Sequence, residues 1–485
     1  MKKIVTIFLL IGSLACSRTA KQDSFAFKVE KITLKNGMRF LIVPREGAPV
    51  FTGYIRVKVG GIDELPGKTG ISHMLEHMAF KGTNNVGAKD YANEAKILDE
   101  LERIVIELKQ NPEDAKLKAE FLKTQQAANA LVESEGFTKL YNQAGASEIN
   151  ANTSQDLTTY YAQLPNSKLE FWAFMESERF KHPVFREFYS ERDVVLEERR
   201  MRVADSPFGT AYEKFLSMAF KTSPYRYPTI GSSEDIKGLT ATDMKDFYEA
   251  HYSPDNMVGA IVGNVDVKST KQILEKYFGD LPVRKIMPAP VINEPSVTAS
   301  RHTIVKDANP LVMLGFQKPT LPHDDDYKFD LLDEILCQGL TSRLYKRMVL
   351  EDHIVGNLDC SNSVPGNRAT NLYFIYASLI APHTADDFLR VFYDELQKIK
   401  NVGFNDAELA RAKKNLQADT FYSLQSNDDL AEALSYNEII TGDWRYLITH
   451  AEKIKNMNSE DLKQAVNQYL QADRAIVLEL KRGAN

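Results

Sequence analysis

The stretch His73-Met74-Leu75-Glu76-His77 is the most specific pattern in this chain. Residues four apart lie on one face of a helix, so the two imidazoles can hold one metal ion between them. Glu76 borders the same face and is placed to act on a water molecule rather than on the metal. The order H-x-x-E-H reverses the common H-E-x-x-H pattern and is known as a zinc-hydrolase signature. The alternative is that both histidines are buried and merely hydrogen-bonded.

The composition is that of a soluble globular protein with more than one domain. The chain has 485 residues, of which 43% are hydrophobic and 26% are charged. This length exceeds what one compact core usually holds. The net charge is -6 and no basic block is present, so nucleic acid is not an expected partner.

The N-terminus is typical of an export signal, predicted over residues 1–20. Lys2 and Lys3 precede an apolar run at 4–14 that is too short to span a bilayer. Two processing routes stay open: cleavage after the small-x-small pattern at 13–15, or lipidation of Cys16 at an imperfect lipobox. We expect an exported bacterial protein, either periplasmic or anchored to the outer membrane as a lipoprotein through Cys16.

Two further cysteines, Cys337 and Cys360, are too few for a disulfide framework and too far apart for a metal-binding pair. They are expected to be buried thiols or to form at most one bridge.

The first half of the chain predicts strands followed by helices. Apolar alternation on both sides of Asn36-Gly37 indicates a hairpin with a type I′ turn, and a second alternating run covers 54–59. A helical pattern then occupies about 91–141, broken at Asn111-Pro112. We interpret it as a surface insertion rather than a separate functional module.

A proline-containing segment at 279–306 is the best linker candidate, and the sequences on its two sides are related. Glu191, Glu198 and Tyr252 have counterparts at Glu408, Asn415 and Tyr469, each at an offset of 217. A constant offset predicts duplication of one fold. The domains are therefore expected at 27–278 and 307–485, and only the first keeps the histidine pair.

Several ordered motifs together resemble the pitrilysin and insulinase family of zinc metallopeptidases. They are HMLEHMAFKGT at 73–83, INANT at 149–153, ERDVVLEE at 191–198 and HYSPDN at 251–256. The nearest branch is the bacterial relatives of the catalytic (beta) subunit of the mitochondrial processing peptidase. The resemblance implies an α+β fold of two homologous α/β-sandwich domains, with a helical insertion in the first.

The resemblance also implies the roles of the site residues. One zinc ion per chain would be bound by His73, His77 and Glu198, with Glu76 as general base and Glu191 as an acidic catalytic residue beside the ligands. The strand residues Asn150, Ala151 and Asn152 would pair with the backbone of an extended peptide substrate. One departure is that Glu198 lies 121 positions after His77, because the helical insertion falls between them.

A second departure concerns partners. Active relatives usually carry an Arg and a Tyr, seven apart, in the second half, where this chain has Val349 and Gly356. We therefore expect a heterodimer with a related zinc-less chain that supplies both side chains. Two other classes stay open: a non-catalytic scaffold subunit of the same fold, and a zinc hydrolase with a non-peptide substrate.

Overall fold

The computed structural model describes residues 27–133 and 136–483. The expected signal segment, Cys16 included, lies outside the described residues. Across the described ranges, no helix combines the length and apolar character needed to cross a membrane.

The strands fall into two sheets, one in each half of the chain. The first sheet contains β1 (Glu30–Thr33), β2 (Arg39–Pro44), β3 (Val50–Val57), β4 (Glu148–Thr153), β5 (Thr158–Pro165) and β6 (Met257–Gly263). The second contains β7 (Ser300–Lys306), β8 (Leu311–Lys318), β9 (Val355–Val364), β10 (Asn371–Leu379) and β11 (Ile476–Arg482).

Helices cover the faces of both sheets. Those of the first half are α1 (Ile71–Met78), α2 (Tyr91–Gln110), α3 (Ala115–Ala130), α4 (Gly136–Gln143), α5 (Leu169–Lys181), α6 (Phe188–Arg199), α7 (Pro207–Ala219), α8 (Ser233–Gly238), α9 (Ala241–His251) and α10 (Val267–Phe278). Those of the second half are α11 (Asp326–Leu336), α12 (Arg343–Tyr345), α13 (Ala385–Val402), α14 (Asp406–Ser423), α15 (Asn427–Thr441), α16 (Tyr446–Asn456) and α17 (Ser459–Tyr469).

The two sheets share one topology, as the repeated sequence pattern predicts. Their strand orders are β1-β2-β6-β3-β5-β4 and β7-β11-β8-β10-β9. In each sheet one parallel pair, β2 with β6 or β7 with β11, is followed by antiparallel neighbours only. Removing β1 makes the two orders equivalent, and the predicted α+β fold with two related α/β layers is confirmed.

Each sheet also packs against a helix from the other half of the chain. Phe215 and Leu216 of α7 lie in one apolar cluster with β8, β10 and β11 of the second sheet. Leu430 and Leu434 of α15 lie in a cluster with β2, β3 and β6 of the first sheet. Gly315 in β8 permits this approach, because a Cβ there would be 2.6 Å from Cζ of Phe215. The halves are therefore interlocked.

A buried ion pair crosses between the halves. The guanidinium of Arg368 lies 2.6 and 2.9 Å from the two carboxylate oxygens of Asp63, with both side chains less than a tenth exposed. The same Arg368 side chain donates to the carbonyl of Asp156, at 3.1 Å. The bidentate geometry fixes the orientation of one half against the other.

The structure corrects two expectations from the sequence, the turn type at Gly37 and the extent of the linker, and it decides between the two expectations for the cysteines. The hairpin at Gly37 is present, but Gly37 is left-handed and Asn36 is not, so the turn is not type I′. The predicted linker at 279–306 is irregular only as far as residue 299, because β7 occupies its last seven residues. Cys337 and Cys360 are joined by a disulfide.

Candidate metal centre

The helix that carries the two histidines, α1, begins at a tightly packed glycine. Gly70 has φ of 89°, and a Cβ there would be 2.5 Å from the carbonyl oxygen of Ile230. The buried carboxylate of Glu64 accepts hydrogen bonds from the N–H groups of Gly70 and Ser72, at 2.8 and 2.9 Å. These bonds satisfy N–H groups that a helix start leaves free and so fix α1.

The structure brings together the three predicted ligands. Nε2 of His73 lies 3.8 Å and Nε2 of His77 lies 3.5 Å from the carboxylate oxygens of Glu198, which α6 supplies. Ligand atoms 2.0–2.2 Å from a tetrahedral zinc ion are about 3.4 Å apart, so the spacing suits this ion. Burial lowers the pKa of His73 to about 3, which keeps its imidazole neutral as a metal ligand requires. Two imidazoles and one carboxylate fit a zinc ion.

Glu191 lies beside the predicted ligands and forms a hydrogen bond with one of them. Its Oε1 is 2.9 Å from Nδ1 of His77, on the side of the ring opposite Nε2. Its Oε2 is 2.7 Å from Nζ of Lys81. The hydrogen bond from His77, together with Lys81, lowers the pKa of Glu191 to about 2 in spite of its burial. A ligand histidine held by an ionised carboxylate is the usual arrangement around catalytic zinc.

Glu76 lines the same site without belonging to the ligand set. The hydroxyl of Thr153, at the end of β4, donates to Oε2 of Glu76 at 2.6 Å. Burial raises the pKa of Glu76, against the opposing effects of Thr153 and His77. A carboxylate with a raised pKa accepts a proton more readily than an exposed one does.

The predicted substrate strand is the outer strand of the first sheet. Among the described strands β4 pairs with β5 only, so its other edge is open. Asn150 and Asn152 are exposed, Ala151 is buried, and the side-chain oxygen of Asn150 accepts from the N–H of Ala151 at 2.9 Å. An open edge next to Glu76 is the geometry that β-augmentation needs. The substrate-binding role of these residues remains a prediction.

The described residues of the second half do not provide counterparts of the three predicted ligands. Asn415 on α14, the counterpart of Glu198, donates to Oε2 of Glu334 on α11 at 3.2 Å. An amide and a carboxylate thus meet where the first half has Glu198 and the imidazoles. Val349 lies in a π-helical turn packed on the second core, and Gly356 lies in β9. Valine has no donor in its side chain and glycine has no side chain, so neither residue offers a side-chain hydrogen bond to a substrate carbonyl.

The helical insertion is more closely involved in the site than a surface module would be. A cavity of about 520 Å³ beside Glu76 is lined by Phe80 and Lys81, which follow α1, and also by Val132 and Glu133 of the insertion. The sequence does not mark Lys81, Thr153 or Glu133 as site residues. Lys81 and Thr153 lie inside the motifs at 73–83 and 149–153, so their position in these motifs could have indicated a role in the site. Nothing in the sequence links Glu133 to Glu76.

Comparison with known protein families gives two matches. Residues 41–100 match the family described as Insulinase (Peptidase family M16), and residues 238–416 match the family described as Peptidase M16 inactive domain. The first range contains the two histidines and Glu76. The second contains most of the residues of β7 to α14, where the metal ligands are missing.

Relatives and solved structures match over nearly the whole chain. A Helicobacter pylori protein called zinc protease PqqE is 28% identical, over 98% of this chain and 97% of that protein. A crystal structure of a protease from Helicobacter pylori has a TM-score of 0.80 at 26% identity and covers 94% and 99% of the two chains. A Pseudomonas fluorescens structure described as a peptidase M16 inactive domain has a TM-score of 0.77 at 16% identity, covers 94% and 98%, and supports the fold alone.

Proposed function

This chain belongs to the M16 (insulinase) peptidase family, and from that premise we propose that it is a zinc metalloendopeptidase acting on extended or unfolded peptides. The observation that carries the proposal is that His73, His77 and Glu198 each place a potential ligand atom within 4.8 Å of the other two. Glu76 lies beside them. One zinc ion per chain would be held by these three ligands.

The chemistry follows from the positions of the side chains. A zinc ion held by His73, His77 and Glu198 would supply Lewis acidity, which would polarise the scissile carbonyl and lower the pKa of water from about 15.7 to about 7. Glu76 takes the proton from the attacking water and passes it to the leaving amine nitrogen, while Thr153 keeps the carboxylate oriented. Glu191 holds the His77 ring through the bond to Nδ1, which leaves Nε2 free to bind a metal ion. The open edge of β4 binds the substrate backbone.

We also propose that the active form is a heterodimer. Val349 and Gly356 occupy the positions at which active relatives have an Arg and a Tyr, so a related chain would supply these donors. The chain is further proposed to be exported to the periplasm or held at the outer membrane through lipidated Cys16. Support for export comes from the sequence of residues 1–20 alone.

One experiment tests the catalytic proposal. Metal content and cleavage of an internally quenched, unstructured peptide are measured for the wild type, for Glu76→Gln and for Glu197→Gln, each with and without a related partner chain. Glu197 is the matched control, since it lies on α6 next to Glu198 but is half-exposed and paired with Arg200.

We expect zinc in all three proteins, cleavage by the wild type and Glu197→Gln, and a loss of at least about a hundredfold in Glu76→Gln. Retained zinc with lost cleavage separates the role of the base from that of the metal. A zinc-free wild type that does not cleave the peptide would favour the scaffold alternative, and cleavage that is insensitive to Glu76→Gln would overturn the zinc mechanism proposed here, in which Glu76 is the base.

A further inference from the structure

A second cluster of side chains that can bind a metal ion lies in the other half of the chain. Cys337, Cys360 and Asp333 place potential ligand atoms within 4.8 Å of one another. Asp333 belongs to α11, Cys337 follows that helix directly, and Cys360 belongs to β9. The two cysteines are joined by the disulfide, so in the oxidised chain their sulfur atoms are bonded to each other. Two of the three potential ligands are thus held in a covalent bond.

The helix of this cluster repeats the spacing of the histidine helix with other residues. The segment at 330–334 has acidic residues at its first, fourth and fifth positions, where the motif at 73–77 has His, Glu and His. The two helices also follow equivalent strands, since α1 comes after β3 and α11 comes after β8. The repeat therefore places Asp333 at the position that Glu76 has in the first half.

The sheet register places Cys360 at the position of Thr153. Thr153 pairs with Thr158 on the neighbouring strand, and Cys360 pairs with Ile375. Positions 158 and 375 differ by the same offset of 217 that relates the two halves elsewhere. The hydroxyl that contacts the carboxylate of α1 in the first half is thus replaced by sulfur beside Asp333. Sulfur and carboxylate oxygen are both ligands that zinc accepts.

The carboxylate of Asp333 has no cationic partner among the described residues. It accepts hydrogen bonds from the side-chain amide of Gln338 at 3.3 Å and from the hydroxyl of Tyr373 at 3.5 Å. Both distances are long for a hydrogen bond to a carboxylate. Burial raises the pKa of Asp333 well above its ordinary range, and the charges of Asp330 and Asp359 act in the same direction. The surroundings of this carboxylate therefore favour a cation.

Opening the bridge would complete a set of three ligands. A dithiol gives two electrons and two protons to the bridge, becomes a disulfide itself and leaves two thiols. Binding of a zinc ion then releases both thiol protons and any proton on the carboxyl of Asp333. The Cα atoms of the cysteines are 5.9 Å apart, so with Zn–S bonds of about 2.3 Å both sulfur atoms can reach one ion. We propose that reduction by a dithiol converts Cys337, Cys360 and Asp333 into a zinc site of the second half.

Cobalt(II) alone is the probe, because a thiolate ligand gives it an intense sulfur-to-metal charge-transfer absorption in the near ultraviolet. The ligand set on α1 and α6 contains no sulfur and cannot give this band. Every protein carries Cys16→Ser, which leaves the bridge as the only source of thiols in the chain. Each protein is titrated before and after reduction by a phosphine, which takes oxygen from water, becomes its oxide and leaves two thiols. A phosphine replaces the dithiol in this test because dithiols chelate the metal.

Two substitutions distinguish the folded site from free thiols. Asp333→Asn removes the carboxylate ligand and keeps the shape of a protonated carboxyl group, so the fold should be retained. Asp359→Asn is the matched control. It removes a carboxylate next to Cys360 in the chain, but Asp359 is exposed and neighbouring residues of a strand point to opposite faces of the sheet.

We expect the reduced Cys16→Ser protein to bind one further cobalt ion with the charge-transfer band, and the oxidised protein to show no band. Asp333→Asn should weaken binding of this ion at least about tenfold, since loss of a group that only supports a ligand already costs that much. Asp359→Asn should leave the affinity unchanged. A reduced protein without the band, or a band whose titration is the same in Asp333→Asn, overturns the site. Neither result depends on whether the chain cleaves peptides.

Discussion

The guanidinium of Arg186 and the carboxylate of Glu94 form a bidentate ion pair in which neither side chain has any exposed surface. The remaining donors of Arg186 go to the carbonyls of Lys81, Thr83 and Val86. Glu94 belongs to α2 of the insertion, Arg186 lies two residues before the start of α6, and the carbonyls belong to the loop after α1. One side chain thus connects the insertion to both elements that carry the predicted metal ligands.

Removing the charge of Glu94 should destabilise the protein strongly. Glu94→Gln leaves the buried guanidinium of Arg186 without its counter-charge, which typically costs about 3–5 kcal/mol. The free energy of unfolding, measured by urea denaturation, gives the size of the loss. Glu100→Gln is the control, because Glu100 on the same helix pairs with Arg103 at the surface and should change stability by less than about 1 kcal/mol. Similar small losses in both variants would contradict this account.

Glu191→Gln should weaken zinc binding. The substitution replaces the carboxylate that holds Nδ1 of His77, and loss of such a partner usually lowers metal affinity about 10–100-fold. Competition with a chromogenic chelator measures the change. Glu197→Gln, on the same helix but directed away from the ligands, should leave the affinity at the wild-type value. An unchanged affinity in Glu191→Gln would remove this residue from the site.

Zinc binding should weaken as the pH falls through the neutral range. Burial disfavours the charged imidazole of His77, but the hydrogen bond and charge of Glu191 outweigh this and raise the pKa of His77 in the metal-free protein. Below that raised pKa a proton competes with the metal, so affinity should drop by about tenfold per pH unit. In Glu191→Gln the pKa of His77 falls, and the decline should begin at a lower pH. An onset at the same pH in both proteins would argue against the coupling.

Reduction of the disulfide should destabilise the second half of the chain. Cys337 and Cys360 are separated by 23 residues, and closing a loop of this size contributes about 3 kcal/mol through the entropy of the unfolded chain. Urea denaturation with and without a reductant measures the difference. The double variant Cys337→Ala/Cys360→Ala should be insensitive to the reductant, and a wild type that is equally insensitive would show that the bridge contributes nothing.

The main features of the fold could be predicted from the sequence because they repeat. The constant offset between Glu198 and Asn415 indicates duplication, and the two sheets have equivalent strand orders. The interlocking of α7 and α15 was not predicted, since an apolar helix face does not specify which sheet it covers. The same limit applies to the insertion, whose helical pattern was clear while its contact with the cavity depends on long-range backbone bonds at Glu133.

The candidate site was predictable where a local spacing encodes it. His73, Glu76 and His77 lie within little more than one helical turn, so their common face follows from the helix period. Glu198 required the resemblance, because no local pattern distinguishes it from the other glutamates of α6. Lys81 and Thr153 were missed because their roles depend on contacts with Glu191 and Glu76 that only the folded chain creates.

Helix α7 of the first half packs on the second sheet, and α15 of the second half packs on the first sheet. This arrangement determines where the chain can be divided. Each half, made alone, would present to water a sheet face that the other half normally covers, so neither should be a stable product of a truncated gene. A cut in the irregular segment between residues 280 and 299, by contrast, severs no helix or strand. The two fragments of the nicked molecule should remain associated, and they should separate only when both unfold.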